Sequence, residues 1–143
     1  MRTDLRDQLE AHMSTEENRR LMEQVFAELA LGNSQALVEV LADDVDWRVT
    51  GTTKFSRTYS GKQTLINELV GPLFSMLADR FVWVAQRIIA DGDYVVVECQ
   101  GKSTTKSGRP YNNKYCLVCR MGDGKIKEVT EYMDTQLVVD TFG

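Results

Sequence analysis

RPYNNKYCLVCRMGDGKIKEVTEYMDTQL, residues 109–137, holds two strand-like runs joined by Gly122-Asp123-Gly124. Glycine reaches positive φ at little cost, so the two runs are expected to fold back as an antiparallel hairpin. On the first run, period-two alternation puts Tyr111, Asn113, Tyr115, Leu117 and Cys119 on one face, which reads as a pocket wall, and Asn112, Lys114, Cys116, Val118 and Arg120 on the other. On the second run the same count groups Val129, Glu131 and Met133. A carboxylate thus stands between two apolar neighbours on a strand that could have been wholly apolar.

Outward from this hairpin the strand pattern continues. Phe81 to Ala90, Tyr94 to Thr105, Tyr111 to Met121 and Lys125 to Leu137 are separated by Asp91-Gly92-Asp93, Lys106-Ser107-Gly108 and Gly122-Asp123-Gly124, and predict a four-stranded meander. Val95-Val96-Val97 is apolar on both faces, so the sheet needs two covers; helices supply one and a second subunit is the simplest other. Before the sheet the period is helical. Ser14 and Glu17 form a capping box ahead of Leu21, Met22, Val25, Leu29 and Ala30, and Gly32 ends that helix. Asn33 caps a shorter helix with Ala36, Leu37, Val40 and Leu41 inward, closed by Asp43-Asp44. Val45, Trp47 and Val49 alternate with Asp46 and Arg48 as a short strand, and Thr50 to Tyr59 reads as a loop of the kind that rims sites. Ser60 and Gln63 open a third helix whose apolar phase runs from Leu65 to Leu77 through Gly71-Pro72, predicting a kink rather than two helices.

Composition bounds the function classes. At 143 residues and 43% hydrophobic, the chain is expected to be a single domain spanning 1–143, with 1–13 as a mobile N-terminal segment. A net charge of −4 gives no footprint for nucleic acid. No run approaches the roughly 20 apolar residues of a membrane span, and the polar N-terminus is unlike a secretory signal, so a cytoplasmic address is expected. Three cysteines cannot all pair in one chain, which suits a reducing compartment; Cys116 and Cys119 point to opposite strand faces and have no partner pair, so no metal site is expected.

Helices first and an antiparallel sheet after them is an α+β order. Leu41-Ala42-Asp43-Asp44-Val45-Asp46-Trp47, Tyr59-Ser60-Gly61-Lys62, Gly108-Arg109-Pro110-Tyr111-Asn112-Asn113-Lys114-Tyr115, and Asp123-Gly124-Lys125-Ile126 with Glu131-Tyr132-Met133-Asp134 together make the chain resemble the nuclear-transport-factor-two-like superfamily. Within it, the chain is similar to the SnoaL-like polyketide-cyclase and ketosteroid-isomerase branch. The resemblance covers roughly Ser14 to Leu137 and implies a cone of three helices packed on a strongly bent, mainly antiparallel sheet. It also implies an acidic base on the last strand, for which Glu131 and Asp134 are both candidates. Where ketosteroid isomerases carry their proton-abstracting Asp this sequence has Val49, and where they carry the oxyanion-hole Asp it has Tyr115 or Cys116. Where limonene-epoxide-hydrolase-like members carry an Arg and a second Asp it has Glu98 and Gln100.

The residues read chemically as follows. Glu131 between Val129 and Met133 would be desolvated, its pKa raised toward the range of a general base. Alternatively, a bulge after Lys127 turns Glu131 to a wet face and brings Asp134 inward. Tyr115 and Asn113 are placed either to hold a developing oxyanion or only to satisfy each other. Trp47 and Val49 are pocket wall or core, and Gln100 faces either the cavity or solvent. His12, the one histidine, lies outside the site. Three functions remain open: a cofactor-free cyclase or isomerase acting on a small hydrophobic molecule, a non-catalytic binder of such a molecule, and a dimerising accessory protein with a vestigial pocket.

Overall fold

The computed structural model describes residues 3–143, with side chains from Thr15 onward. The expected mobility of 1–13 and the position of the His12 side chain lie outside the described side chains. α1 spans Thr3–Ala30, so the helix does not begin at Ser14. Met22, Val25, Phe26 and Leu29 form its buried stripe. It ends at Gly32, where φ is +84°. α2 is Gln35–Val40, shorter than the sequence implies, because the chain turns extended at Leu41 and enters β1, Leu41–Val49. As expected, Val45, Trp47 and Val49 face the core and Asp46 and Arg48 face out.

β2, Thr58–Ser60, pairs antiparallel with β1 and takes the end of the segment read as loop. Ser60 is therefore strand, and the next helix starts at Gly61 with φ of 95° and no side-chain cap, in place of the expected capping box. That helix is one rod in three parts: α3, Lys62–Leu65; a π-turn, Ile66–Val70; and α4, Gly71–Ser75. Pro72 has no N–H to give, and the ladder adjusts by an i→i+5 bond from the Gly71 N–H to the Ile66 carbonyl. The apolar phase survives because the π-turn absorbs the extra residue.

The meander is present as β3, Val82–Asp91, β4, Tyr94–Lys102, β5, Lys114–Gly122, and β6, Lys125–Met133. Asp123 and Gly124, both at positive φ (54° and 72°), make the two-residue turn that the sequence called for. The sheet has six strands in the order β2-β1-β6-β5-β4-β3. Every pairing is antiparallel except β1 with β6, which is parallel and brings Val49 beside Glu131. The last strand is thus central. A curled, unclosed sheet with helices against its inner face is the α+β cone that the resemblance implies, and the residue pattern alone gives its order of helices and strands.

Besides β2, a terminal helix escaped the sequence reading. The final strand stops at Met133, and Thr135–Phe142 is a helix, α5, capped by the Asp134 carboxylate, which accepts from the Leu137 N–H at 3.2 Å. Among the described residues, no helix is long and apolar enough to cross a membrane.

Candidate functional site

Two neighbouring cavities occupy the cone. The larger, about 90 Å³, lies between β1, the α3–α4 rod and Trp83; the smaller, about 50 Å³, lies beneath α5 against Tyr111, Tyr115 and Val49. Leu69, Leu73, Phe81, Trp83 and Glu131 line both. Among the described residues, Glu131 is therefore the one carboxyl that lines either space.

Its inward position is fixed from both sides of its strand. Glu131 pairs with Leu117 of β5 and Val49 of β1, both core residues. A bulge does occur: Arg120 pairs with Glu128 but Met121 with Ile126, leaving Lys127 as the extra residue. The bulge does not turn Glu131 outward. It changes the facing upstream, so that Ile126 and Val129, three apart, are both buried, while Glu131 keeps the alternation of Val129. Burial among apolar side chains raises the Glu131 pKa from 4.5 to about 7, and the nearby Trp47 indole N–H pulls the other way. That N–H makes no hydrogen bond of good geometry, and neither does the buried Trp83 indole N–H. The wall residues Trp83 and Trp47 stack at 6.5 Å, and Phe26 stacks on Trp83 at 6.2 Å from the core behind them.

The other sequence candidates separate into those the fold gathers and those it does not. Val49, Tyr115 and Met133 line the smaller cavity and Trp47 the larger. Val129 is core beside them and lines neither. Asn113 also lines neither, and all four of its hydrogen-bonding positions are taken. Its amide donates to the Tyr111 hydroxyl (3.2 Å) and the Asp134 carbonyl (3.0 Å), and its oxygen accepts from the Lys114 and Asp134 N–H groups (2.8 and 3.1 Å). It ties β5 to the start of α5. Asp134 is that helix's cap rather than an inward base, because the strand on which its parity was counted has already ended. Gln100 lies on the outer face of β4, next to Gln86, and the neighbouring Glu98 pairs there with Arg87 at 3.1 Å. Tyr115 gives its proton to the Tyr111 oxygen at 3.3 Å, and no hydrogen bond joins it to Glu131.

Sequence reasoning missed Trp83, Phe81 and the rod residues Leu69 and Leu73 as lining. The sequence placed Phe81 and Trp83 only within a strand-like run and Leu69 and Leu73 only in the apolar phase of a helix. The three cysteines are free, with Cys119 buried and pushed up to about 12 by burial. Among the described residues no cluster of His, Cys, Asp and Glu could hold a metal ion.

Comparison with known families matches residues 22–129 to the SnoaL-like domain. Solved structures similar to the chain include Bal32a from a soil-derived mobile gene cassette, with a TM-score of 0.75 at 16% identity over 90% of this chain and 98% of that one. TerC co-crystallised with polyporic acid superposes with a TM-score of 0.72 at 20% identity, over 86% and 95% of the two chains. A putative SnoaL-like polyketide cyclase from Jannaschia sp. CCS1 gives 0.71 at 16% identity, over 87% and 90%. A search of curated proteins returns no match.

Proposed function

The chain belongs to the SnoaL-like family, and from that membership together with the geometry of Glu131 we propose a small-molecule enzyme of the cyclase or isomerase type. Glu131 is its general base, and the reaction is proton transfer next to a carbonyl, with no cofactor taking part. The observation that carries this reading is a buried carboxyl in the common wall of two apolar cavities, raised to a pKa of about 7. A base poised there is ionised in half the molecules at neutral pH and still takes a proton readily. Trp47, Val49 and Met133 are the residues we assign to contact the ligand.

Neither space alone matches the ~150 Å³ in which an apolar cavity accepts benzene. A ring system therefore enters when the two spaces join, and Leu69 and Leu73 of the rod are among the residues that border both. The test is a thermal-shift screen of flat carbonyl compounds, followed by mass analysis of every stabilising hit for a product. Glu131→Gln keeps the shape and removes the base, so turnover is expected to fall on the order of 10²-fold or more while the hit still binds. Turnover that survives the substitution would remove Glu131 from the mechanism.

One observation favours the binder as second reading. Asn113 is fully engaged and the Tyr115 proton is spent on Tyr111, so the two groups that the sequence offers to hold an enolate are not free. Binding without any turnover across the whole screen would decide for it. For either reading we propose a homodimer formed through the outer sheet face, where Ile89, Tyr94 and Tyr132 stand about half exposed (50%, 47% and 50%). We place it in the cytoplasm, a reading supported by the free thiols.

A further inference from the structure

The oxygen of Tyr111 accepts two hydrogen bonds, from the Tyr115 hydroxyl (3.3 Å) and from the Asn113 amide (3.2 Å). A phenol has one proton of its own to donate, and among the described residues the Tyr111 proton has no acceptor. The ring is buried, held edge-on by Phe142 at 4.8 Å, and it lines the smaller cavity together with Glu131. The other hydroxyl lining that cavity besides Tyr115 belongs to Thr53, which is already engaged with Ser56 and the Phe55 N–H.

We propose that Tyr111, rather than Tyr115, presents the hydroxyl that holds the ligand's oxygen opposite Glu131, and that the site takes a carbonyl compound whose polar head enters the smaller cavity while its flat apolar body fills the larger. The inference rests on the reading of Glu131 as base. Accepting two bonds polarises the Tyr111 O–H and makes it a stronger donor than an isolated phenol. Burial keeps it protonated, so it serves as a neutral donor. The Glu131 carboxylate removes a proton from the carbon next to the carbonyl; the C–H pair becomes a C=C bond and the carbonyl π pair becomes a lone pair on the oxygen, whose charge the Tyr111 proton receives. Glu131 then returns the proton to another carbon of the conjugated system, which is isomerisation. Alternatively, the enolate carbon bonds to a second carbonyl of the same molecule and that oxygen takes the proton, which is cyclisation. Neither route needs a co-reactant. Tyr115 and Asn113 act through Tyr111 as positioning residues.

The test uses binding alone, so that it stands or falls apart from turnover. 4-Nitrophenolate carries the oxygen of an enolate on a small flat ring, and 4-nitrotoluene fills the same space without it. Affinities of both are measured by difference absorption in the parent chain, Tyr111→Phe, Tyr115→Phe and the double variant, all in a Glu131→Gln background that removes the opposing charge. The expected result is a preference for the phenolate that falls about 10-fold or more in Tyr111→Phe. It should fall only a few-fold in Tyr115→Phe, and no further in the double variant than in Tyr111→Phe, while 4-nitrotoluene binding stays level. A preference unchanged by Tyr111→Phe, an additive double variant, or no preference in the parent chain would each overturn the proposal. Proton NMR with the phenolate bound guards against a variant that fails to fold. A new, strongly downfield hydroxyl resonance is expected in the parent background and in Tyr115→Phe, and its absence from the parent background would also overturn the proposal.

Discussion

Glu131 is a carboxyl with a free-energy consequence at every pH. In the folded chain it holds its proton up to about pH 7, whereas the unfolded chain releases it near 4.5. Between those values the folded state binds more protons than the unfolded at this site, so the Glu131 contribution to stability falls as pH rises through that window and is level outside it. At about 1.4 kcal/mol per pH unit the fall amounts to about 3 kcal/mol. The groups around it, Tyr111, Tyr115 and Cys99, all have raised pKa values and stay neutral across the window, so they do not blur it. Urea unfolding at pH 5 and pH 8 checks this: the parent should lose most of that stability and Glu131→Gln should not. A parent that tracks the variant would mean that water reaches the carboxyl. If Glu131 is the base, kcat/KM on any substrate found should rise through pH 7, since only the ionised form takes a proton. Asn113 makes a contrasting prediction. It is 1% exposed and engaged at all four positions, so Asn113→Ala strands the buried hydroxyl and backbone groups it served. A loss of about 3 kcal/mol is expected in the same urea measurement. A loss near zero would mean that water replaces the amide.

At the scale of elements, period and turn chemistry made most of the fold legible. The Asp123-Gly124 turn, the inward set on β5 and the alternation of β1 follow directly from side-chain spacing, because a two-residue turn and a half-buried strand leave few other solutions. What spacing could not give was where a strand stops. Met133-Asp134-Thr135 reads as more strand until Asp134 is recognised as a cap for the apolar run Leu137-Val138-Val139; the preceding strand pattern masked that signal. The parallel pairing of β1 with β6 was likewise hidden, since nothing local in either strand names a partner some eighty residues away. The same holds for Glu98 and Gln100, whose face depends on which side the helices cover. Of the candidate site, the inward carboxyl and the Trp47 wall could be read from side-chain spacing, whereas the hydroxyl proposed to hold the ligand could not, because counting donors and acceptors needs the coordinates. The π-turn carries the prediction at this scale. Pro72→Ala restores an N–H and lets the rod relax to an i→i+4 ladder, a change of about 100° in the facing of residues on one side of the turn. Leu69 and Leu73, which line both cavities, would no longer face them together. The stabilisation conferred by a screened ligand should therefore drop sharply, with the unfolding free energy of the empty protein moving by no more than about 1 kcal/mol. Undiminished ligand stabilisation would show that the π-turn does not shape the cavities.

The whole molecule has a covered face and an open one. Val95 and Val97 are fully buried under the helices, whereas Val96 and Val118, paired across β4 and β5 on the other face, are only half-buried, with Ile89 exposed beside Val96. Sedimentation at micromolar concentration is expected to give a dimer, and Val118→Lys, which sets a charge amid that patch, a monomer. A parent chain that sediments as a monomer would leave the outer face as ordinary protein surface. The strand order has a temporal consequence as well. β6 is among the last segments synthesised, yet it sits between β1 and β5, with β1 on one flank and the rest of the meander on the other. A growing chain can assemble the β3-β4-β5 hairpins as they emerge, but the β1–β2 pair has no neighbour to join until the strand bearing Glu131 arrives. Insertion of that one strand completes the sheet and installs the carboxyl in the wall that both cavities share, so a chain cut short before Lys125 lacks that buried carboxyl and keeps an open seam along β1.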